Sequence, residues 1–212
     1  MTNFNKRFAF TLSELLLSLI IVGVVAIITV PVLINNVQKK VFATQLKNFV
    51  AQIEQVAQDE LLAHRTRDLS NTDFADPDKL LSNKHFDYIK KCSSGVAKTT
   101  CWNNPQQKIK LLNNNLQLLY LRTTIILKNG VMLSYIYAPS TYRIGYFIVD
   151  LNGTDKPNIG GRDIFVFDFS LKGKLIIRHS GNPSLETLVA DCKSNFAYCH
   201  DAVILNNWKM DY

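Results

Sequence analysis

The chain has 212 residues, 47% of them hydrophobic, with a formal charge of +7 and a sequence pI near 9.2. Apart from an apolar run near the N-terminus, this length leaves one domain of modest size. The Lys and Arg residues are scattered and form no single basic block, which argues against a dedicated nucleic-acid-binding protein.

The apolar run covers residues 15–34, which include no charged side chain. At about 1.5 Å per residue it matches a hydrocarbon core of roughly 30 Å. Lys6 and Arg7 before the run favour a cytoplasmic N-terminus, whereas Lys39 and Lys40 beyond it weaken that inference. The sequence therefore predicts a membrane-spanning segment, and charge counting leaves its orientation open.

A secretory signal peptide is the alternative, because it also has a basic region before an apolar one, and Val24-Val25-Ala26 resembles a mediocre cleavage site. Glu14 argues against this alternative. A charge at the bilayer centre costs about 2.5–3.5 kcal/mol, so a carboxylate at the head of the run indicates a function. The helical pattern also continues beyond the run, which a cleaved signal does not require.

A family resemblance lies in residues 6–14, which read Lys-Arg-Phe-Ala and then Phe-Thr-Leu-Ser-Glu. This segment resembles the processing and methylation motif of type IV prepilins and type II secretion pseudopilins. The resemblance implies that residues 1–9 are a leader, that prepilin peptidase cuts between Ala9 and Phe10, and that Phe10 is N-methylated. It also implies a single-pass inner-membrane protein whose head lies in the periplasm, or outside the cell after assembly. Ala9 departs from the glycine that usually precedes the cut.

Assembly is expected to depend on the N-terminal end of the apolar helix, which covers residues 10–35. A membrane-buried carboxylate needs a partner, and the Phe10 amine of a neighbouring copy offers a cation at the same depth as Glu14. Phe10 and Glu14 are therefore the predicted assembly residues, with other pilin or pseudopilin subunits as partners. Gly23 and Ala26 are the predicted points of close helix approach.

A second, amphipathic helix segment is predicted over residues 36–64. Its apolar residues follow steps of four and three, namely Phe42, Leu46, Phe49, Ile53 and Val56. The helix is expected to end near residues 62–64. Pro31, where many pilins have a helix-kinking proline, is expected to bend or locally melt the helix between Thr29 and Asn35.

The rest of the chain predicts a β-sheet head. Residues 65–115, rich in Asn, Lys and Ser, are interpreted as a connecting region with short helical pieces and a disulfide-closed loop. Residues 116–212 are interpreted as the head. Strand-forming runs occupy residues 116–127, 131–137, 142–151, 164–169 and 174–178, with hairpin turn signals at Asn129-Gly130 and Lys172-Gly173. The predicted fold is α+β and pilin-like, an antiparallel meander packed on the amphipathic half of a long N-terminal helix.

The four cysteines form two local pairs, Cys92 with Cys101 and Cys192 with Cys199. This pattern suits disulfides that close short loops in an oxidising compartment, and so predicts an exported domain. Zinc is the alternative, although neither pair has the two-residue spacing of a zinc knuckle. The second pair, with Trp208 beyond it, resembles the C-terminal region of many pilin-like proteins, in which a disulfide closes the tail onto the sheet; Trp208 is interpreted as a packing anchor.

Residues 150–163 place several oxygen-bearing side chains in one loop between two strands. Calcium is the hypothesis for this loop, with Asp150, Asn152, Asp155 and Asp163 as ligands, and no cofactor is otherwise required. The EF-hand pattern fails because Asp155 occupies the position of its required glycine. The segment resembles a loop of pseudopilin-like proteins, some of which hold calcium there, and an ordinary turn explains the same residues.

No motif predicts an enzyme. The sequence has no nucleophile elbow or phosphate-binding glycine loop, and its four histidines form no H-E-x-x-H pattern. The expected function is a structural subunit of a type IV filament or of a type II secretion or competence pseudopilus. The alternatives are a minor tip pilin that binds DNA or a secreted substrate, and a membrane-tethered hydrolase.

Overall fold

The computed structural model of the protein describes residues 11–179 and 181–212. The chain divides into two compact units, residues 1–39 and 40–212. One helix, α1 (Leu12–Ala63), extends across this division, and its end agrees with the prediction. Residues 29–35 are helical throughout, so local melting at Pro31 is not observed. A bend at Pro31 stays a prediction.

In the first unit, every residue from 11 to 34 is exposed. The most apolar 18-residue window of α1 has a mean hydropathy of 3.0, and α1 is long and apolar enough to cross a membrane. Two hydroxyls in this stretch are satisfied within the helix, since Ser18 Oγ donates to Leu15 O and Thr29 Oγ1 donates to Val25 O, both at 2.9 Å. The segment thus meets the requirement that polar groups in lipid be paired internally.

The second unit is built on a sheet. The strands that the structure describes are β1 (Tyr88–Cys92), β2 (Lys108–Leu111), β3 (Leu116–Leu118), β4 (Thr124–Leu127), β5 (Met132–Tyr137), β6 (Arg143–Asp150), β7 (Ile159–Gly160), β8 (Ile164–Ser170) and β9 (Leu175–Ile176). Their order across the sheet is β1-β4-β5-β6-β8-β7-β2-β3, and β9 pairs with β8. The short helices are α2 (Pro77–Leu80), α3 (Ala97–Thr100), α4 (Leu185–Ser194) and α5 (Cys199–Leu205).

The sheet agrees only in part with the predicted meander. Strands β4, β5, β6 and β8 form antiparallel neighbours as predicted, whereas β7 pairs in parallel with both β2 and β8. Strands β1 and β2 lie before residue 116, within the stretch that the sequence pattern indicates as a connecting region. In β2, exposed Lys108 and Lys110 alternate with buried Ile109 and Leu111, and four residues are too few for this alternation to identify a strand.

Both predicted hairpin turns are confirmed. Leu127 N donates to Val131 O at 2.9 Å across the turn that contains Gly130, and Gly130 has a φ of 86°. The corresponding turn between β8 and β9 contains Gly173 with a φ of 72°. Positive φ favours glycine because it has no Cβ to clash with the backbone.

The core lies between the second half of α1 and one face of the sheet. All five residues of the predicted apolar stripe are buried, and the Phe49 ring lies 5.9 Å from that of Phe167. Phe147 is central to an aromatic cluster, with ring centroids 4.6 Å from Tyr135 and 5.5 Å from Phe169. Each such buried ring contributes about 1.5–3 kcal/mol through removal from water.

The C-terminal tail closes onto the sheet. Cys92 is bonded to Cys101 and Cys192 to Cys199, the two pairs that the spacing predicts. The second bond joins α4 to α5, and Trp208 is partly buried against the core, in agreement with a packing role.

Asp201 of α5 fastens this tail to the segment after β9. Its buried Oδ2 accepts from Arg178 N at 2.9 Å and from His179 N at 2.8 Å, and lies 2.7 Å from His179 Nδ1. The other nitrogen, His179 Nε2, lies 2.9 Å from Asp191 Oδ2 of α4. Burial acts to lower the pKa of His179, but the hydrogen bonds and charges of Asp191 and Asp201 outweigh it, so the pKa is raised.

We expect this clamp to stabilise the protein in a pH-dependent way. Because the folded-state pKa of His179 lies above its unfolded value of about 6.5, its contribution is fully present below about pH 6.5 and is lost as the pH rises through the raised folded-state value. His179→Gln should remove this component from the free energy of unfolding, measured by urea denaturation of the detergent-solubilised chain across pH. Asp191→Asn, which keeps the bond to Asp201, should remove only part of it. A His179→Gln profile parallel to wild type would contradict the assignment.

Candidate functional site

The first turn of α1 is closed by Thr11 and Glu14. Glu14 Oε2 accepts from Thr11 N and from Thr11 Oγ1, both at 2.8 Å, and Glu14 N donates to Thr11 Oγ1 at 3.3 Å. This reciprocal arrangement is a capping box, in which a Thr and a Glu three residues later satisfy amides that the helix leaves unpaired. The Thr-x-x-Glu pattern of residues 11–14 is the local signal from which this cap can be predicted.

The capping box gives Glu14 a role within one chain. A carboxylate at a helix N-terminus also interacts favourably with the helix dipole, by about 0.3–1 kcal/mol at exposed sites. Glu14 remains exposed, so the cap holds its charge at the head of the apolar run without enclosing it. Ala9 and Phe10 lie outside the described residues, so cleavage and the pairing of Phe10 with Glu14 stay predictions.

The second candidate site is the loop between β6 and β8. Asp163 is fully buried, and its carboxylate accepts from Asn158 N and Ile159 N, both at 2.7 Å. These bonds shape the turn. Gly161, with a φ of 87°, packs against the Cys192–Cys199 disulfide, where a Cβ would lie 2.8 Å from Cys192 Sγ. The disulfide-closed tail therefore supports the loop.

Asp150, at the end of β6, is the second buried carboxylate of this loop. Burial, and secondarily the charge of Asp163, raise its pKa to about 8, although Asn152 N donates to Asp150 Oδ1 at 3.3 Å. Burial also raises the pKa of Asp163, against the amide bonds that it accepts. Two buried acids that disfavour each other's charge are a setting in which a bound cation would be stabilising.

The oxygens that converge in the loop differ from the predicted calcium ligands. With its amide nitrogen inward, Asn158 donates to Asp155 O at 2.9 Å, Gly153 O at 3.2 Å and Asp150 Oδ2 at 3.3 Å. These three oxygens therefore converge on the Asn158 side chain inside the loop.

The predicted ligand set is therefore not brought together as four side chains. Asp163 is engaged by backbone amides, and the Asp155 side chain is exposed, so only its carbonyl faces Asn158. Asn152 Nδ2 donates to Asp155 O at 3.0 Å, while its Oδ1 is buried without a hydrogen-bond partner. Calcium stays a hypothesis. The inward carbonyls and Asn158 could not be predicted from the sequence, because only the folded loop determines their direction.

Comparison of the chain with protein-family models, curated proteins and solved structures finds no match. The functional argument therefore rests on the residues of this chain.

The calcium hypothesis predicts a stability change that depends on Asp150. In millimolar calcium the wild-type melting temperature should rise relative to EDTA, since a ligand at 100 times its Kd adds about 2.7 kcal/mol. Asp150→Asn should lose this response. In EDTA it should also lose the fall in stability expected as the pH rises toward about 8, because Asp150 is protonated below its raised folded-state pKa.

Asp155→Asn is the matched control for this test. It changes an exposed side chain and keeps the inward backbone carbonyl, so its calcium response should match wild type. Equal wild-type melting temperatures with and without calcium would reduce the loop to an ordinary turn.

Proposed function

We propose that this protein is a pilin or pseudopilin, a subunit that polymerises through the first half of α1 into a type IV filament or a secretion or competence pseudopilus. The observation that carries the proposal is the position of Glu14. It is fixed by a capping box at the start of a helix whose residues 11–34 are all exposed and almost all apolar.

The apolar surface of this helix supports the proposal. At about 25 cal/mol per Å² of apolar area, a helix segment that is apolar around its circumference is strongly unfavourable in water. A membrane covers such a surface in the monomer, and other copies of the helix cover it in a filament. A subunit that moves from membrane to filament uses one segment for both purposes.

The Glu14 charge supports polymerisation over simple anchoring. The capping box of a simple anchor needs only an acceptor, which Gln would also supply, whereas an assembled bundle gains from a charge that meets the Phe10 amine of a neighbour. The resemblance at residues 6–14 supplies that amine through cleavage after Ala9. Under this proposal prepilin peptidase is the processing partner, and the β-sheet unit lies in the periplasm before assembly.

The disulfides fit this location. Two bonded pairs, with no free cysteine in the part of the chain that the structure describes, suit an oxidising compartment. The second unit is therefore proposed to be exported while the first half of α1 stays in the inner membrane.

The first test is the mature N-terminus. We expect mass spectrometry of the chain purified from membranes to give a first residue of Phe10 carrying one methyl group. A chain that starts at Met1, or one cut within the apolar run to start at Ile27, would be incompatible with the proposed processing.

The second test separates the charge of Glu14 from its capping role. Glu14→Gln keeps an acceptor for Thr11 N but removes the charge, so the helix should form while the neighbour's Phe10 amine is buried without its counter-charge. Deleting one partner of a buried pair costs about 3–5 kcal/mol, so incorporation into sheared filaments should be nearly abolished.

Thr11→Ala is the matched control for this test, because it removes the hydroxyl of the capping box and keeps the Glu14 charge. It should cost about 0.5–2 kcal/mol of helix stability and assemble nearly as wild type. Both variants should reach normal membrane levels and be processed normally. If Thr11→Ala fails while Glu14→Gln assembles, Glu14 acts as a cap and not as an assembly charge.

A further inference from the structure

Five polar side chains meet where α1 ends, and neither the proposed filament nor the calcium hypothesis uses them. They are Glu60, His64, Asp73, Lys84 and His85, here called the Glu60 cluster. Glu60 is at the last turn of α1, and His64 follows one turn later. Asp73 starts a short 3-10 helix, and Lys84 and His85 precede β1. The cluster therefore joins three separate stretches of the second unit.

Glu60 is the centre of the cluster and is only 1% exposed. Its Oε2 accepts from Asp73 N at 2.9 Å and lies 3.4 Å from His64 Nδ1. Its Oε1 accepts from Lys84 Nζ and lies 3.2 Å from His85 Nε2. Both carboxylate oxygens of the buried Glu60 side chain thus face nitrogen atoms of other residues.

The ligand atoms have the spacing of a metal site. One atom each from Glu60, His64 and Asp73 lie within 4.8 Å of one another. His85 is an independent indication, because its side chain is only 7% exposed and its buried Nε2 faces Glu60 Oε1 at 3.2 Å without the geometry of a hydrogen bond. That nitrogen points into the cluster, 3.7 Å from Asp73 Oδ2.

Lys84 holds the place of a cation. Its Nζ donates to Glu60 Oε1 and, at 3.1 Å, to Asp73 Oδ2, so one ammonium contacts two carboxylates but offsets only one of their charges. The Lys84 side chain is 53% exposed, so it can leave the cluster without disturbing the core.

We propose that the Glu60 cluster binds a divalent transition-metal ion of the zinc type, with Glu60, Asp73, His64 and His85 as ligands and Lys84 as the group that the ion displaces. Two imidazole nitrogens and two carboxylate oxygens make the mixed set that zinc and its neighbours accept in four-coordination. Calcium and magnesium prefer oxygen-only sets, so the donor chemistry excludes them as the best occupants.

Metal binding here would attach the 65–87 segment to the end of α1. The single charge of the Lys84 ammonium offsets only one of the two carboxylate charges. A divalent ion would offset both charges and would also bind the His85 nitrogen, which forms no hydrogen bond. The ion would therefore stabilise the folded second unit, since the four ligands come together only in the folded chain.

The test uses the full-length chain in detergent, stripped with EDTA and titrated with Zn²⁺, with Co²⁺ as a spectroscopic probe. We expect one high-affinity zinc ion per chain by calorimetry, a higher melting temperature, and the intense visible bands of four-coordinate Co²⁺. His85→Gln should weaken zinc binding by at least about tenfold, since loss of an outer-shell partner alone costs about 10–100-fold.

Lys84→Met separates a metal site from a plain ion-pair network. If Lys84 competes with the metal, this variant should melt lower than wild type in EDTA, bind zinc more tightly, and recover its stability when zinc is added. Lys128→Met is the matched control, because Lys128 pairs with exposed Asp87 at 2.9 Å outside the cluster, and it should leave zinc affinity unchanged. His179→Gln tests for adventitious binding by the histidine of the tail clamp.

The outcomes separate the two explanations. Tighter zinc binding by Lys84→Met together with weaker binding by His85→Gln supports the site. An octahedral Co²⁺ spectrum, an affinity that His85→Gln leaves unchanged, or a Lys84→Met variant that zinc does not rescue would show that the Glu60 cluster is an ion-pair network.

Discussion

The structure depends on the rule that a backbone must pair its own polar groups wherever water is excluded. Helix α1 meets this rule over 52 residues, and the capping box of Thr11 and Glu14 extends it to the first turn, where a helix leaves amides unpaired. Glu14 thus completes the hydrogen bonding of the first turn within one chain. Under the proposed function, the same carboxylate closes the helix in the monomer and offers a charge to the next subunit.

Buried charge is handled differently at three places in the second unit. Asp201 is paired with histidines and backbone amides, Glu60 is paired with Lys84, and Asp150 has a pKa raised to about 8. A buried carboxylate is costly unless it is paired, hydrogen-bonded or neutralised, and these sites show the three solutions. The first fastens the tail, and the other two are the sites at which we propose cation binding.

The sequence predicted the features that depend on neighbouring residues. The stripe from Phe42 to Val56 repeats at the helical period, and the Asn129-Gly130 and Lys172-Gly173 turns require positive φ, so both are local. The candidate sites were predicted less well. Asp150 and Asp163 were identified as loop acids, but the inward position of Asn158 and the amides that engage Asp163 follow from the folded path of the loop.

By itself the sequence determined the α+β class, the membrane-capable helix, the paired cysteines and the motif at residues 6–14, because each is a pattern of composition or short spacing. Only the tertiary structure decided that β2 pairs in parallel with β7, and that Glu60 meets residues 13 to 25 positions later in the chain. Such contacts arise from the path of the chain, which a period or motif does not encode. For the same reason the histidines at 64 and 85 form no sequence motif and still lie around one buried carboxylate.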